Sequence, residues 1–325
     1  MAKHIPQSLL ERAAEMYDLG AALRGPQPAA GPVEPRQPVP DAAPEPAPAP
    51  LPAAVEAPRP APAAEPARTV FTAPRAAAAP AGEVTEISRD VLAANGFIVP
   101  GAQNTALAEE FRLLKRQLLS DIAAAKRQSE EQRRTVLICS AQPKEGKTFS
   151  AINLALSLSG EKEVEVLLVE ADFMKPDALA RLGVAGGPGL VDALLDPDSD
   201  PEAFVIRTDV PGLSVLPAGA RTNNVPELLA SDRCREVLAK LVAGDQRRIV
   251  IFDSPPVLMA SHATVLAGLV GRALVVVRAD QTTEADLREA IGLLQGCEVS
   301  LILNGAGLGV TGRKFGSYDG YGHED

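Results

Sequence analysis

The sequence contains no tryptophan, and its aromatic content is only 3% of 325 residues. Proteins that bind single-stranded nucleic acid stack bases on aromatic side chains, so a surface of that kind is not expected here. Positive charge is also scarce, because 42 acidic residues outnumber 32 lysines and arginines and leave a formal net charge of -10. A general nucleic-acid surface needs the opposite sign. We therefore expect no nucleic-acid partner.

Cysteine is equally scarce. The three cysteines, Cys139, Cys234 and Cys297, lie far apart in the chain and show no CxxC spacing. This pattern predicts neither a zinc site nor a disulfide framework, and it fits a reducing compartment.

Long hydrophobic runs are missing. The longest uncharged stretches, 91–108 and 254–271, are interrupted by proline and by polar side chains, whereas a membrane-spanning helix needs about 20 consecutive apolar residues. The first 20 residues carry several charges and lack the apolar centre of a signal peptide. We expect the chain to be cytoplasmic.

Proline marks the division of the chain, because 17 of its 29 prolines fall within 25–82, a stretch otherwise mostly alanine. Such a segment has few side chains to bury, which predicts a disordered, semi-extended linker. Residues 1–24 show a capping-box pattern followed by apolar residues at helical spacing, which predicts an amphipathic docking helix. The composition then predicts one folded domain over 83–304 and a flexible, glycine-rich tail over 305–325.

Within the predicted domain, Thr105 to about Ala125 has an apolar stripe at helical spacing and charges on the opposite face. Short Val/Ile/Leu runs then alternate with helical patterns. These runs are "TVLICS", "VEVLLVEAD", "LSVLP", "RIVIFDSPP", "ALVVVRAD" and "VSLILN". The alternation predicts an α/β fold, with a mostly parallel sheet and helices on both faces.

The segment "AQPKEGKTFSAINLALSL" follows the first of these strands and opens a helix. It matches the phosphate-binding loop G-x-x-x-x-G-K-[ST] of P-loop NTPases except at its first position. The predicted nucleotide-binding residues are Ala141, Gln142, Pro143, Lys144, Glu145, Gly146, Lys147 and Thr148. Alanine in place of the first glycine is compatible with this loop if that residue keeps a negative φ.

Acidic residues end two other predicted strands. Glu170 and Asp172 follow one apolar run, and Asp253 ends another. Open α/β sheets bind ligands at the carboxyl ends of their strands, and carboxylate oxygens are ligands of Mg²⁺. Together with Thr148, these residues predict a metal–nucleotide site for ATP and Mg²⁺.

These motifs carry a family resemblance. The segments "SAQPKEGKT", "LLVEADFMKP", "IVIFDSPP" and "LPAGARTNNVPELL", with the glycine-tyrosine tail, resemble the bacterial tyrosine autokinases of polysaccharide biosynthesis, the BY-kinases. The resemblance extends from about Asn104 to the C-terminus. Within it, "EEFRLLKRQLL" is similar to the subgroup associated with exosortase and polysaccharide export loci.

The resemblance implies a role for each matched residue. In such a kinase Lys147 contacts the β and γ phosphates, Thr148 and Asp253 hold Mg²⁺, and Asp172 assists the attacking tyrosine hydroxyl or the metal. The resemblance thus implies an ATP-dependent tyrosine autokinase with catalytic Lys147, Asp172 and Asp253. Tyr318 and Tyr321, in the tail of a chain with only three tyrosines, are the expected phosphoacceptors.

The resemblance also implies partners. An ExxRxxR helix forms subunit contacts in a homo-oligomeric ring, and here the pattern is Glu109, Arg112 and Lys115. A transmembrane polysaccharide chain-length or export protein would recruit the chain to the inner face of the cell membrane. The sequence departs from the family pattern at Lys115, where arginine is usual, at Glu170, where aspartate is usual, and at Met174, where arginine is frequent.

Two other functions fit parts of the pattern. ATPase switches of the partitioning type carry a lysine one residue after the first loop position, where this chain has Gln142. A non-catalytic scaffold with a decayed site would not need to keep Lys147, Asp172 and Asp253, which are all present. Both functions are less well supported than a kinase that labels its own tail.

Overall fold

The fold is seen in a computed structural model, which describes residues 84–126 and 128–306. The predicted helix of 1–24, the predicted linker of 25–82 and the tail beyond Ala306, with Tyr318 and Tyr321, lie outside the described residues.

A single eight-stranded sheet forms the centre of the described region, with strand order β1-β4-β5-β3-β6-β2-β7-β8. Every neighbouring pair is parallel except β4 and β5, which are antiparallel. The strands are β1 (Val84–Thr85), β2 (Thr135–Ser140), β3 (Glu165–Glu170), β4 (Ile206–Thr208), β5 (Leu213–Leu216), β6 (Arg248–Asp253), β7 (Arg272–Arg278) and β8 (Glu298–Asn304). The predicted mostly parallel sheet is confirmed.

Helices cover both faces of this sheet. They are α1 (Arg89–Ala94), α2 (Ala106–Ala124), α3 (Glu130–Arg133), α4 (Lys147–Ser159), α5 (Ala178–Leu182), α6 (Leu190–Leu195), α7 (Val225–Leu229), α8 (Asp232–Ala243), α9 (Ser261–Ala267) and α10 (Glu284–Leu293), with a 3₁₀ turn at Pro201–Phe204. Within the described ranges, no helix has the length and apolarity needed to cross a membrane.

The two cores follow from the alternation of side chains along buried strands. In β2, Val136 and Ile138 pack into a core with α1, α2, α4 and α5, whereas Leu137 and Cys139 pack into a core with α6 to α10. Successive side chains of a strand point to opposite faces, so a strand buried on both faces needs an unbroken apolar run. The predicted three-layer α/β architecture is confirmed.

Two short strands have no counterpart in the sequence pattern. Strand β1 has two residues and β4 has three, which is too short to show a periodicity. Asp209, just beyond β4, holds the segment after β1: its Oδ1 accepts from the Ile87 backbone nitrogen at 2.8 Å, and its Oδ2 lies 2.9 Å from Arg89 Nη2.

Helix α2 begins where the sequence predicts. Thr105 caps it, and its hydroxyl oxygen accepts from the Ala108 nitrogen at 3.1 Å. Lys115, however, is only 9% exposed. Its Nζ donates to the Ser157 carbonyl at 3.0 Å and lies 2.7 Å from Glu161 Oε1. Lys115 is thus engaged within its own chain, a contact that its place in the ExxRxxR pattern does not indicate.

We predict that Lys115→Ala lowers the free energy of unfolding by about 1–3 kcal/mol, because the Ser157 carbonyl loses its donor in a partly buried place. Urea unfolding followed by circular dichroism measures the change. Arg116→Ala, at the next and exposed position of α2, is the matched control and should change stability by less than about 0.5 kcal/mol. Equal effects of the two substitutions would contradict the anchoring role of Lys115.

Candidate active site

The strand register places the candidate residues at one edge of the sheet. Glu170 of β3 is paired with Asp253 of β6, and Asp253 is paired with Ile138 of β2. Since these strands are parallel, their carboxyl ends lie side by side. The loop that follows β2 therefore begins next to the acidic ends of β3 and β6, and it leads directly into α4 at Lys147.

The phosphate loop tolerates alanine at its first position. Ala141 is fully buried, and it is not among the described residues with positive φ. The left-handed positions are instead Lys144, with φ of 67°, and Gly146, with φ of 100°. The condition under which alanine is compatible with the loop is thus met.

Glu145 braces the loop from inside. Its side chain is buried; Oε2 accepts from the Gln142 backbone nitrogen at 2.8 Å, and Oε1 accepts from the Thr282 hydroxyl. The Asn304 amide donates to the Glu145 carbonyl at 2.9 Å. A Cβ on residue 146 would overlap this amide, so close packing as well as φ requires Gly146. Thr282 and Asn304 were not predicted, because their partner is more than 130 positions away and neither belongs to a motif.

The structure brings Lys147 and Asp172 together. Lys147 Nζ lies 2.9 Å from Asp172 Oδ2, and the Lys175 backbone nitrogen donates to Asp172 Oδ1 at 3.1 Å. Both partners of the ion pair line a cavity of about 450 Å³, together with Gly146 and Pro255. The pair holds the lysine ammonium beside the phosphate loop.

Asp253 has a different environment. It is 1% exposed, and its Oδ1 makes no hydrogen bond to any residue of the described chain. Burial raises its pKa to about 7, although Lys147 and Thr148 act to lower it. A buried carboxylate oxygen without a donor is costly unless a cation neutralises it. The residues present therefore fit a hard divalent cation, which Asp253 and Thr148 would hold together with phosphate oxygens.

The Glu170 side chain makes different contacts from those of Asp172 and Asp253. Burial raises its pKa, and backbone amides, including that of Leu179 at 3.3 Å from Oε1, act in the opposite direction. Glu170 thus binds the backbone where α5 begins, which is a structural contact. Met174, the other departure from the family pattern, is 63% exposed at the rim of the cavity.

Comparison with known proteins identifies the family, although no family model matches the chain. YwqD of Bacillus subtilis, a tyrosine-protein kinase, is 30% identical over 194 residues, covering 60% of this chain and 78% of YwqD. The chain belongs to the bacterial tyrosine-protein kinases. EpsB of Ralstonia nicotianae, named as a candidate tyrosine-protein kinase, is 36% identical over 167 residues, or 51% of this chain and 22% of EpsB. The chain thus spans about a fifth of that longer relative.

Solved structures agree with this family. The BceF tyrosine kinase domain superposes with a TM-score of 0.52 at 31% identity, covering 60% of this chain and 76% of that domain. The kinase domain of the Escherichia coli tyrosine kinase ETK gives a TM-score of 0.51 at 28% identity, covering 65% of this chain and 80% of that domain. The assignment to the bacterial tyrosine-protein kinases is confirmed, and the narrower exosortase-associated subgroup stays a prediction.

We predict that Asp253→Asn raises the melting temperature at pH 8 in buffer free of nucleotide and divalent cations, and that this gain disappears near pH 4. Between the ordinary pKa of 3.8 and the folded value of about 7, the unfolded chain loses the proton while the folded chain keeps it. Stability therefore falls as pH rises through this window, and it stays lower above it. Asp253→Asn has no carboxyl proton at this position, so the variant does not show this fall in stability.

Thermal scans at several pH values measure the effect, with Asp232→Asn at the exposed start of α8 as the control for a surface carboxylate. Adding Mg²⁺ with ADP should raise the melting temperature of the wild type more than that of Asp253→Asn, because only the wild type has the carboxylate that would hold the cation. A gain in the variant that is equal at pH 4 and pH 8 would contradict the prediction, because ionisation of the buried Asp253 carboxyl cannot produce a gain that is independent of pH.

Proposed function

We propose that this chain is an ATP-dependent protein tyrosine autokinase that regulates exopolysaccharide synthesis or export and phosphorylates its C-terminal tyrosines in trans. The observation that carries the proposal is the convergence of Lys147, Asp172 and Asp253 around the phosphate loop, in a chain of the tyrosine-kinase family.

Each residue has a defined task in this reaction. ATP entering the loop draws the Lys147 ammonium from Asp172 toward the β and γ phosphates, where it neutralises developing charge. Thr148 and Asp253 would hold Mg²⁺, and the ion would supply further positive charge next to the phosphates. The tyrosine oxygen forms the new bond to the γ phosphorus, the bond from that phosphorus to the bridging oxygen breaks, and ADP leaves. The phenolic proton passes to Asp172, which Lys147 has freed.

Glu109 and Arg112 stay partly exposed on α2 and so leave a surface for the proposed subunit contact. Arg112 pairs with Glu109 on a partly exposed face of the helix, and its Nη2 donates to Asn104 Oδ1 at 2.9 Å. Since Lys115 is engaged internally, the contact within a homo-oligomeric ring depends on Glu109 and Arg112. A transmembrane polysaccharide chain-length or export protein completes the assembly and recruits the cytoplasmic chain to the inner face of the membrane.

The loop also bears on the alternative of a partitioning-type switch. Gln142 stands where such a switch has its lysine, and its backbone nitrogen donates to the Glu145 side chain within the same loop. An uncharged side chain at this position gives a neighbouring subunit no ammonium group for its nucleotide. A non-catalytic scaffold is disfavoured because the ion pair and the buried carboxylate are both present.

We predict that Lys147→Met reduces self-labelling with ATP and Mg²⁺ by about 10²-fold or more, because the charge on the phosphates is lost while the fold remains. Mass spectrometry of the full chain after incubation measures both the extent and the position of the label. Lys240→Met, on the exposed face of α8, is the control and should label like the wild type. Label retained in a well-folded Lys147→Met protein would overturn the site.

Transfer between subunits has its own test. We mix a Lys147→Met chain, which keeps Tyr318 and Tyr321, with an active chain in which both tyrosines are phenylalanine. Transfer in trans predicts phosphate on the inactive chain. If that chain stays unlabelled while the wild type labels itself under the same conditions, transfer occurs within one subunit.

A further inference from the structure

A second cavity adjoins the phosphate cavity and has no role in the function proposed above. It also has a volume of about 450 Å³, and Met174 lines both cavities. Phe173, which directly follows Asp172 in the chain, lines the second cavity together with Arg221 and His262. The second cavity therefore opens beside the residue that we assign to the attacking hydroxyl.

One wall of this cavity is preformed. Asp192 Oδ2 accepts from the Gly189 nitrogen at 2.8 Å and from the Ala220 nitrogen at 3.0 Å. A Cβ at Gly219, whose φ is 88°, would overlap the Asp192 carboxylate, and a Cβ at Gly189 would overlap the Pro217 carbonyl. The two glycines let the chain segments approach closely, so the wall keeps its shape without a ligand.

His262 contributes an unsatisfied polar group. Its ring lies 5.7 Å from the Phe173 ring at an interplanar angle of 76°, an edge-to-face contact. Its Nδ1 is buried and has no hydrogen-bond partner among the described residues. Burial lowers the pKa of His262, and the carboxylates of Asp172 and Glu227 act in the opposite direction. A neutral imidazole offers both a donor and an acceptor to a hydroxyl group.

The lining of the cavity selects a class of ligand. Phe173, Met174 and Pro176 supply apolar surface, Arg221 supplies a positive charge, and none of the carboxylates in the described part of the chain lines the cavity. An aromatic ring packs well against such a surface, and a flanking carboxylate pairs with a guanidinium group. The ligand that fits is an aromatic side chain in an acidic peptide.

The chain carries such a peptide. Its last eleven residues, "FGSYDGYGHED", contain two of the three tyrosines, three carboxylate side chains and no lysine or arginine. Tyr318 lies twelve residues beyond Ala306, where the described chain ends, so chain geometry limits its reach from that point to about 40 Å. This distance is comparable to the diameter of the domain.

We propose that the second cavity binds the acceptor segment of the tail, residues 315–325, and so selects the tyrosine that is phosphorylated. This inference rests on the proposed kinase function. The ring of the acceptor tyrosine, or of its neighbour, packs against Phe173 and His262, while a flanking carboxylate pairs with Arg221. Arg221 and His262 are specificity-determining residues, and they take no part in the transfer itself.

The test uses the full chain with Tyr318 and Tyr321 replaced by phenylalanine, and the peptide FGSYDGYGHED as the substrate. Arg221→Gln should raise the KM for the peptide about tenfold, because one charge-assisted contact is lost. His262→Phe keeps the edge-to-face packing but removes the nitrogen, and it should raise the same KM about threefold. The KM for ATP should stay unchanged in both variants, as should all constants in the control Arg235→Gln on α8.

A second peptide, with its three carboxylates replaced by amides, isolates the contact with Arg221. This peptide should bind the wild-type cavity about tenfold more weakly than the acidic peptide does. In Arg221→Gln the two peptides should bind with equal affinity, since the contact between Arg221 and a carboxylate is already absent. Equal losses in both backgrounds, or an unchanged peptide KM in Arg221→Gln, would overturn the proposal.

Fluorescence anisotropy of the labelled peptide separates this proposal from the kinase function, because binding needs no transfer. A chain that binds the peptide through Arg221 but transfers no phosphate overturns the kinase function alone. A chain that phosphorylates the peptide with constants independent of Arg221 and His262 overturns the second cavity alone.

Discussion

In a parallel sheet that is buried on both faces, polar side chains are confined to the ends of the strands. Because all strands run in the same direction, their carboxyl ends lie at one edge of the sheet. In this chain the pairing of Glu170 with Asp253 places the ends of β3 and β6 at the same level, and the pairing of Asp253 with Ile138 places the end of β2 two residues beyond them. Strand pairing alone therefore brings together the phosphate loop, the acidic ends of the strands and the start of α4. A shift of one residue in the β3–β6 register would exchange the faces of the side chains and carry the apolar residues of a strand out of their core.

The carboxylates of Asp172 and Asp253, both at this edge, have different environments, and the difference bears on how the site would bind phosphate. Asp172 has a counter-ion in Lys147 and a backbone donor in Lys175. Asp253, deeper in the protein, has a side-chain oxygen that finds no hydrogen-bond partner among residues 84–126 and 128–306. In the proposed reaction, bound phosphates attract Lys147 and leave Asp172 free to accept a proton, while a divalent cation would remove the cost of burying Asp253. On this proposal, ligand binding would relieve the unfavourable burial of Asp253 and make Asp172 available as a base.

The sequence allows the sheet, the phosphate loop and the acidic strand ends to be predicted, since each depends on a local pattern. Segments rich in Val, Ile and Leu mark the six longer strands, which have four to seven residues each, and the G-K-T triplet marks the start of α4. Contacts between distant positions leave no such pattern. Lys115 belongs to a surface motif, yet its partner Ser157 is 42 residues away. No local pattern marks His262 either, because only the fold brings its ring against Phe173.

The end of β8 connects the phosphate loop to the tail. The Asn304 amide donates to the Glu145 carbonyl, and Gly305, with φ of 65°, packs so closely on the Arg278 guanidinium that a Cβ would overlap it. The start of the tail is thus fixed relative to the loop. Twelve residues reach at most about 40 Å, and the radius of gyration of a domain of this size is about 17 Å. A tail of this length spans the domain, so its length permits both its own cavity and that of a neighbouring subunit. In the proposed oligomer, the arrangement of subunits, and not the length of the tail, would therefore decide which cavity receives the tyrosine.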